Sequence, residues 1–576
     1  MFVGSLSRSN ILDPPNITSA AQDGRIVRRR PDPPQTAGFR GGIWRGRGGW
    51  RLLSPRRRQS AREDDMGELT SGARRLPMGD LQQRAARAAA GLASLGVGRG
   101  DLVALYLRND FPFFEASFAA GLIGAYPTPV NWHYTADEAR YLFENSGAKA
   151  IVIHADLIEG IREALPPGVP VLAVATPAEI AEAYGVEAAP VPPGMTDWSA
   201  WLEGFPPAEA TTTEAPGTVI YTSGTTGHPK GVRRAPPTPE EAMVTMTIVG
   251  RAFGFIGHGD PQDIVTVMTG PMYHSAPNAY GLAAARLGAK VILQPRFDPE
   301  ELLQLIAREK VTHLHMVPIM FHRLLKLPDE VKAKYDLSSL RFVVHAAAPC
   351  PPPIKRAMIE WWGPVINEYY GSTETSAVVF CTSEDWLAHP GTVGKAWPEA
   401  DVRVIDAEGN SLPPGEVGEV VARIRGMADF TYHGDDAKRR ASERVGLIAP
   451  GDIGYFDKDG FLYLCDRAKD MIISGGVNIY PAEIEAELLK MPGVADCAVF
   501  GIPDEEFGEA VCAIVQPQPG VEMDEAAVKA YLRAHVAGYK VPKRVELAAE
   551  LPREDSGKIF KRKLREPYWA GLERQI

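Results

Sequence analysis

The 576-residue sequence is poor in cysteine, and its five cysteines, at 350, 381, 465, 497 and 512, form no CxxC pair and no Cys/His cluster with metal-ligand spacing. That argues against a disulfide scaffold and a structural zinc site, and makes a reducing compartment, the cytoplasm, the expected location. No stretch approaches the roughly 18 consecutive apolar residues of a membrane span, and the N-terminus lacks the apolar core of a secretory signal, so no transmembrane segment is expected. No fixed-period repeat is found. Lysine is missing from residues 1–65, which hold 13 Arg and 6 Asp or Glu, a local balance of +7. With −10 overall, the remainder carries −17. An acidic body offers no footprint for a phosphate backbone, so nucleic acid is not an expected partner.

What is there is a folding chain. Apolar residues make up 45% and charged residues 23%, ordinary for a globular protein, and the length allows about two to four domains. From residue 78, Leu81, Ala85, Ala88, Leu92 and Leu95 mark one face of an amphipathic helix that Gly96 is placed to end. Short apolar runs follow at 102–107, 150–153, 264–268, 291–293, 311–316 and 342–344, separated mostly by helical patterns such as 299–308. This alternation predicts an α/β fold of parallel sheets flanked by helices. Prolines at 192–193 and 206–207 and threonines at 211–213 predict a loop-rich segment before a strand at 217–222. A change near 466–470 predicts a separate C-terminal domain of about 100 residues, with Pro481 as the first residue of a helix.

The most informative segment is Tyr221-Thr222-Ser223-Gly224-Thr225-Thr226-Gly227-His228-Pro229-Lys230-Gly231. It follows a predicted strand, and α/β sheets bind ligands at the C-terminal ends of their strands. Its glycines permit close backbone approach, its hydroxyls offer donors to phosphate oxygens, and Lys230 adds a positive charge. A P-loop needs GxxxxGK[ST], whereas here Pro229 precedes the lysine and Gly231 follows it, so the Walker reading fails. This loop resembles the signature loop of the adenylate-forming superfamily, which includes acyl-CoA synthetases, nonribosomal adenylation domains and beetle luciferases. Later segments resemble that family's other motifs in the same order: Ala346-Ala347-Ala348-Pro349, Tyr370-Gly371-Ser372-Thr373-Glu374, Gly451-Asp452, Asp466-Arg467-Ala468-Lys469-Asp470, and Leu551-Pro552-Arg553 with Ser556-Gly557-Lys558. The resemblance covers about residues 78–566.

The resemblance implies a large N-terminal domain of layered β-sheets with flanking helices, residues 66–468, and a small mobile α+β lid domain, residues 469–576. It implies activation of a carboxylic acid with ATP to acyl-AMP, releasing pyrophosphate, and transfer to CoA. Thr222, Ser223, Gly224, Thr225, Thr226, Gly227 and Lys230 would hold the ATP phosphates. Ala346, Ala347, Ala348, Tyr369, Tyr370, Gly371, Ser372 and Thr373 would border the nucleotide, Tyr370 stacking on adenine. Asp452 and Arg467 suit the ribose and phosphate region. Glu374, with Thr373, would hold Mg²⁺. Lys558 would stabilise charge at the α-phosphate during adenylation, Lys469 would be the hinge, and Gly475 and Gly476 would let a pantetheine arm pass. His274 aligns with an aromatic position between the carboxylate and thiol sites. It either gates or positions substrate, or is simply a hydrogen-bonded histidine.

In the resembled family, adenylation domains for amino acids generally place an aspartate in the motif around His274 to hold the ammonium; Tyr273-His274-Ser275 has none, which disfavours an amino acid. The segment 312–321 resembles the acyl-pocket strand and helix start of fatty acyl-CoA synthetases, placing Met316 and Pro318 at the pocket and favouring a hydrophobic acid. Fatty, aryl and steroid side-chain acids all remain open, with fatty acids favoured. No carrier domain follows Lys558, so CoA is the expected acceptor. The alternatives are an enzyme loading a separate carrier protein and an inactive binding paralogue. The Arg-, Pro- and Gly-rich leader, residues 1–65, is expected to be disordered or absent from the mature protein, with translation starting at Met66 or Met78.

Overall fold

The computed structural model describes residues 67–212, 215–222, 229–467, 470–474, 477–504, 507–553 and 559–570, with the backbone alone at 466, 467 and 478. The expected leader lies outside them. Directly after it, strands Glu68–Ser71 and Arg74–Pro77 pair with each other, and the first joins Lys290–Leu293 in a nine-stranded sheet. Leu69 is fully buried there. A chain beginning at Met78 would lack both strands, whereas one beginning at Met66 keeps them.

The predicted amphipathic helix is Met78–Ser94, burying Leu81, Ala85, Ala88 and Leu92, and Gly96 follows its end at a φ of 82°. Parallel strands Leu102–Tyr106, Tyr126–Pro129, Ala150–His154, Val171–Val174 and Thr196–Asp197 make a five-stranded sheet. Tyr126–Pro129 is its edge strand, where prolines at 127 and 129 cost no central ladder bonds. The loop-rich segment is interrupted by helix Trp198–Glu203, in which Trp198 is fully buried and donates its ring N–H to Glu115 at 2.6 Å.

In the nine-stranded sheet, strands Val265–Met268, Lys290–Leu293, His313–Met316, Phe342–His345 and Ile366–Ser372 run parallel, as the alternation predicts. The helices between them begin where local chemistry says they should. Asp298 caps Pro299–Glu309 by accepting from the Glu301 N–H, and Thr238 and Glu241 form a reciprocal capping box on Pro239–Ala252. Each such cap contributes about 1 kcal/mol. Past residue 400 the alternation ends: strands between Ala400 and Arg467 build a six-stranded antiparallel sheet. The residues from Ile472 onward have their own five-stranded sheet and a separate apolar core that includes Ile472, Ile484, Leu488, Val499, Val515 and Leu532. Pro481 is the first residue of helix Pro481–Leu488, as predicted.

Strands Ile220–Thr222 and Lys230–Arg234 pair antiparallel, with Thr222 opposite Lys230. They belong to a small antiparallel sheet completed by Phe430–Tyr432, and residues 223–228 between them lie outside the described residues. A Cβ on Gly231 would lie 2.9 Å from the Tyr221 ring, so a larger residue here would have to displace that ring.

Candidate active site

The C-terminal ends of the parallel strands in the nine-stranded sheet carry the predicted motifs. The turn leading to His274 follows Val265–Met268, Pro318 follows His313–Met316, Ala346–Ala348 follow Phe342–His345, and Ile366–Ser372 runs into Glu374. Such strand ends gather loops from several elements at one edge, where a ligand can meet all of them.

The Glu374 loop is held from within and from outside. The Glu374 N–H donates to Ser372 Oγ at 3.2 Å, and the Ser372 N–H donates to Thr375 Oγ1 at 2.9 Å. Thr373 Oγ1 donates to Ser275 Oγ at 3.0 Å, tying the loop to the start of helix Ser275–Arg286. The Arg234 guanidinium donates to the carbonyls of Thr373 and Glu374. Gly371 is demanded by close approach, because a Cβ there would lie 1.8 Å from the Ser376 carbonyl oxygen, beside a register shift between Tyr370 and Gly371.

The small antiparallel sheet supplies the opposing groups. The Tyr432 hydroxyl donates to Glu374 Oε1 at 3.0 Å, and Lys230 Nζ lies 5.2 Å from the centre of the Tyr432 ring. Burial, and then the neighbouring Lys438, push the Lys230 pKa down to about 8, against the pull of Glu374 and Asp435. A cationic site whose own charges repel is one that an anion would relieve.

Tyr370 and Asp452 meet: the tyrosine hydroxyl donates to Asp452 Oδ2 at 2.7 Å, with both residues buried. Ala347 adopts a φ of 74°, in the left-handed region. His274 is the residue before helix Ser275–Arg286, its ring 4.5 Å from that of Tyr273. The turn containing it is anchored by Asn109, which donates to the Gly270 carbonyl at 2.9 Å and accepts from the Met272 N–H at 2.8 Å.

The chain matches the AMP-binding enzyme family over residues 57–430 and the AMP-binding enzyme C-terminal domain over residues 483–558. It belongs to the AMP-binding enzyme family. The first match begins some 20 residues before the motif resemblance and takes in the two opening strands. A feruloyl-CoA synthase of Amycolatopsis sp is 33% identical over 500 residues, covering 86% of this chain and 94% of that protein. The long-chain-fatty-acid–CoA ligase FadD13 of Mycobacterium tuberculosis is 32% identical over 508 residues, with the same coverage of 86% and 94%. Among solved structures, ATP-bound MatB from Rhodopseudomonas palustris has a TM-score of 0.76 at 28% identity, covering 88% of this chain and 97% of that one.

In this AMP-binding enzyme the residues of the segment 312–321, expected at an acyl pocket, divide between two faces of the sheet. Met316 is buried in a cluster with Leu314, Phe321 and Val343. His315 points the other way, its ring 5.9 Å from Phe253 and 5.5 Å from Tyr280, and its Nε2 is 3.1 Å from the Tyr369 hydroxyl. Burial pushes His315 down to about 4, so its imidazole is neutral. Tyr369 thus packs into this aromatic group. Pro318 is buried as the first residue of helix Pro318–Leu325. Within 312–321 sequence reasoning named Met316 and Pro318 rather than His315, and it did not name Phe253, Tyr280, Arg234 or Tyr432. The alternation of His313 and His315 with Leu314 and Met316 is a two-residue period that signals opposite faces; nothing local signals Tyr432 or Arg234.

Ser223, Gly224, Thr225, Thr226, Gly227, Lys469, Gly475, Gly476 and Lys558 lie outside the described residues, as does the side chain of Arg467. The segment holding Lys558 is bracketed by a bridge between Arg553 and Ile559, and Arg553 forms an ion pair with Asp496. No described helix is long and apolar enough to cross a membrane.

Proposed function

We propose that this AMP-binding enzyme activates a hydrophobic carboxylic acid, a fatty acid in the favoured case, to acyl-AMP with release of pyrophosphate, and then forms acyl-CoA and AMP. The observation that carries the reading is the convergence of Lys230, Tyr432 and Glu374 beside the Tyr370–Asp452 pair, built from four separate stretches of chain. Lys230 and the hairpin loop would hold the phosphates, and Asp452 would accept from the ribose hydroxyls while Tyr370 fixes its carboxylate. Glu374 and Thr373 offer a carboxylate and a hydroxyl, hard oxygen donors that suit Mg²⁺. That ion, when bound, would neutralise charge on the phosphates.

A free carboxylate is a poor acyl donor because its leaving group would be oxide. Attack of the carboxylate on the α-phosphorus forms an acyl–O–P bond as the bond to pyrophosphate breaks, and Lys558 would stabilise the charge that builds there. A thiol then displaces AMP. The groups needed differ between the two steps, so residues 469–576 would act as a mobile lid on residues 66–468, pivoting at Lys469 and presenting Gly475 and Gly476 to the pantetheine arm.

The test is pyrophosphate release with aliphatic, aromatic and polycyclic acids, with and without CoA. Release with a hydrophobic acid, and CoA-dependent thioester, are expected. No release with any acid would remove the reading, and thioester on a holo-carrier protein but not on CoA would replace the acceptor. Lys558→Ala should lose adenylation while a supplied acyl-adenylate still becomes thioester; equal loss of both half-reactions would overturn that assignment.

A further inference from the structure

Beneath the proposed adenine cleft lies a buried charged cluster that the chemistry above does not use. Lys355, fully buried, places Nζ 2.5 Å from Glu368 Oε2. The same carboxylate oxygen is 3.6 Å from Nε2 of His345, also fully buried, whose two ring nitrogens have no hydrogen-bond partner among the described residues. The Trp386 ring lies 5.4 Å from Lys355 Nζ, and the Phe321 ring 5.3 Å from that of His345. Burial holds His345 neutral and pushes the nearby thiols of Cys350 and Cys381 up; it raises the Glu368 carboxyl as well, with the Lys355 contact pulling the other way.

The placement of the three residues is what gives them a role. His345 ends the strand that leads directly into Ala346–Ala348. Glu368 stands opposite it in register on the next strand, two residues before Tyr370. Lys355 comes from helix Pro352–Trp362, which begins just after the alanine turn. The cluster therefore joins the turn, the helix after it and the strand carrying the tyrosine, and the turn and that strand are the elements that would border adenine in the reading above. Ala347 in that turn holds a left-handed φ of 74°, a conformation that persists in a non-glycine residue only when its surroundings enforce it. Packing alone does not call for buried charge, because an apolar pair of similar volume avoids the desolvation cost. What an ion pair adds is a short, directional distance.

We propose that the Lys355–Glu368 pair, with His345 against it, is a spacer that sets the width of the adenine cleft and hence the preference for adenine over other bases. These are positioning residues, and the inference rests on the nucleotide reading above. The test uses the full chain with Lys355→Met, Glu368→Gln and the double variant Lys355→Met/Glu368→Met. Calorimetric Kd values for ATP and GTP are read alongside Tm and, with an active acid, the KM values for ATP and for the acid. Removing one partner should lower Tm, and the double variant should regain most of it. The double variant should nevertheless show an ATP-over-GTP preference reduced about tenfold, with the KM for acid within about twofold of the parent. An unchanged preference, or ATP and GTP binding weakened equally, would overturn the spacer. Because calorimetry needs no acid, failure of the acyl-activation reading would leave this result standing on its own.

Discussion

The two sides of the proposed nucleotide site are built in contrasting ways. On one side, the ends of parallel strands carry Ala346–Ala348, Tyr370 and Glu374, braced by the loop's own hydrogen bonds and by Arg234. On the other, the antiparallel hairpin places Lys230 where Lys438 repels it, with its charge weakened by burial. The first side has its polar groups satisfied by the protein itself. The second sets Lys230 against Lys438, with Glu374 and Asp435 pulling the other way. If ATP binds here as proposed, a site divided this way would have its shape before the nucleotide arrives and would gain electrostatic balance on binding.

The largest expected effect breaks the braced side at its functional tip. Glu374→Gln should lower kcat/KM for pyrophosphate release by roughly a hundredfold or more, the scale for losing a charge that acts in the transition state. An effect under about threefold would place the carboxylate outside the chemistry. Gly371→Ala attacks the same side through the backbone: with a Cβ at 1.8 Å from the Ser376 oxygen, the strand must shift, and a loss of about 2–3 kcal/mol in denaturant unfolding is expected. An unchanged midpoint would show that the register shift absorbs the extra atom.

Tyr370→Phe removes the donor to buried Asp452 and should raise the KM for ATP about tenfold, matching roughly 1.5 kcal/mol for a hydrogen bond to a charged group. The smallest effect separates the two sides by pH. Lys230 is charged below about 8 and loses its charge above it, so kcat/KM for ATP should fall between pH 7 and 9, where a lysine at the ordinary 10.5 would give a flat profile. Because the folded protein binds fewer protons at this lysine than the unfolded chain between about 8 and 10.5, its contribution to stability rises with pH across that window. Lys230→Arg should flatten the activity profile; a fall that persists in that variant would assign the titration elsewhere.

Much of the parallel-sheet architecture is legible in the sequence because each strand is a short apolar run bounded by helix signals. Leu102–Tyr106 and Ala150–His154 are buried throughout, as continuous apolar runs predict. Tyr126–Pro129 is not legible, since its prolines read as loop and only its place at the sheet edge makes them tolerable. Helix Trp198–Glu203 is hidden for a similar reason: six residues carry too few turns to show a period, and its stability comes from burying Trp198. The antiparallel sheet past residue 400 lacks the helix-strand alternation on which the fold reading depends.

The order of the motifs, the acidic body and membership of the adenylate-forming superfamily follow from the sequence by itself, because each motif places its chemistry within a few residues of backbone. Only the tertiary structure decides that Tyr432 and Arg234 converge on the Glu374 loop, that Met316 and His315 face opposite ways, and that Lys355 reaches back to Glu368. Those contacts depend on strand register and on which elements pack together, which are non-local quantities. A residue's type says what it can bind; the register of distant strands decides what it meets.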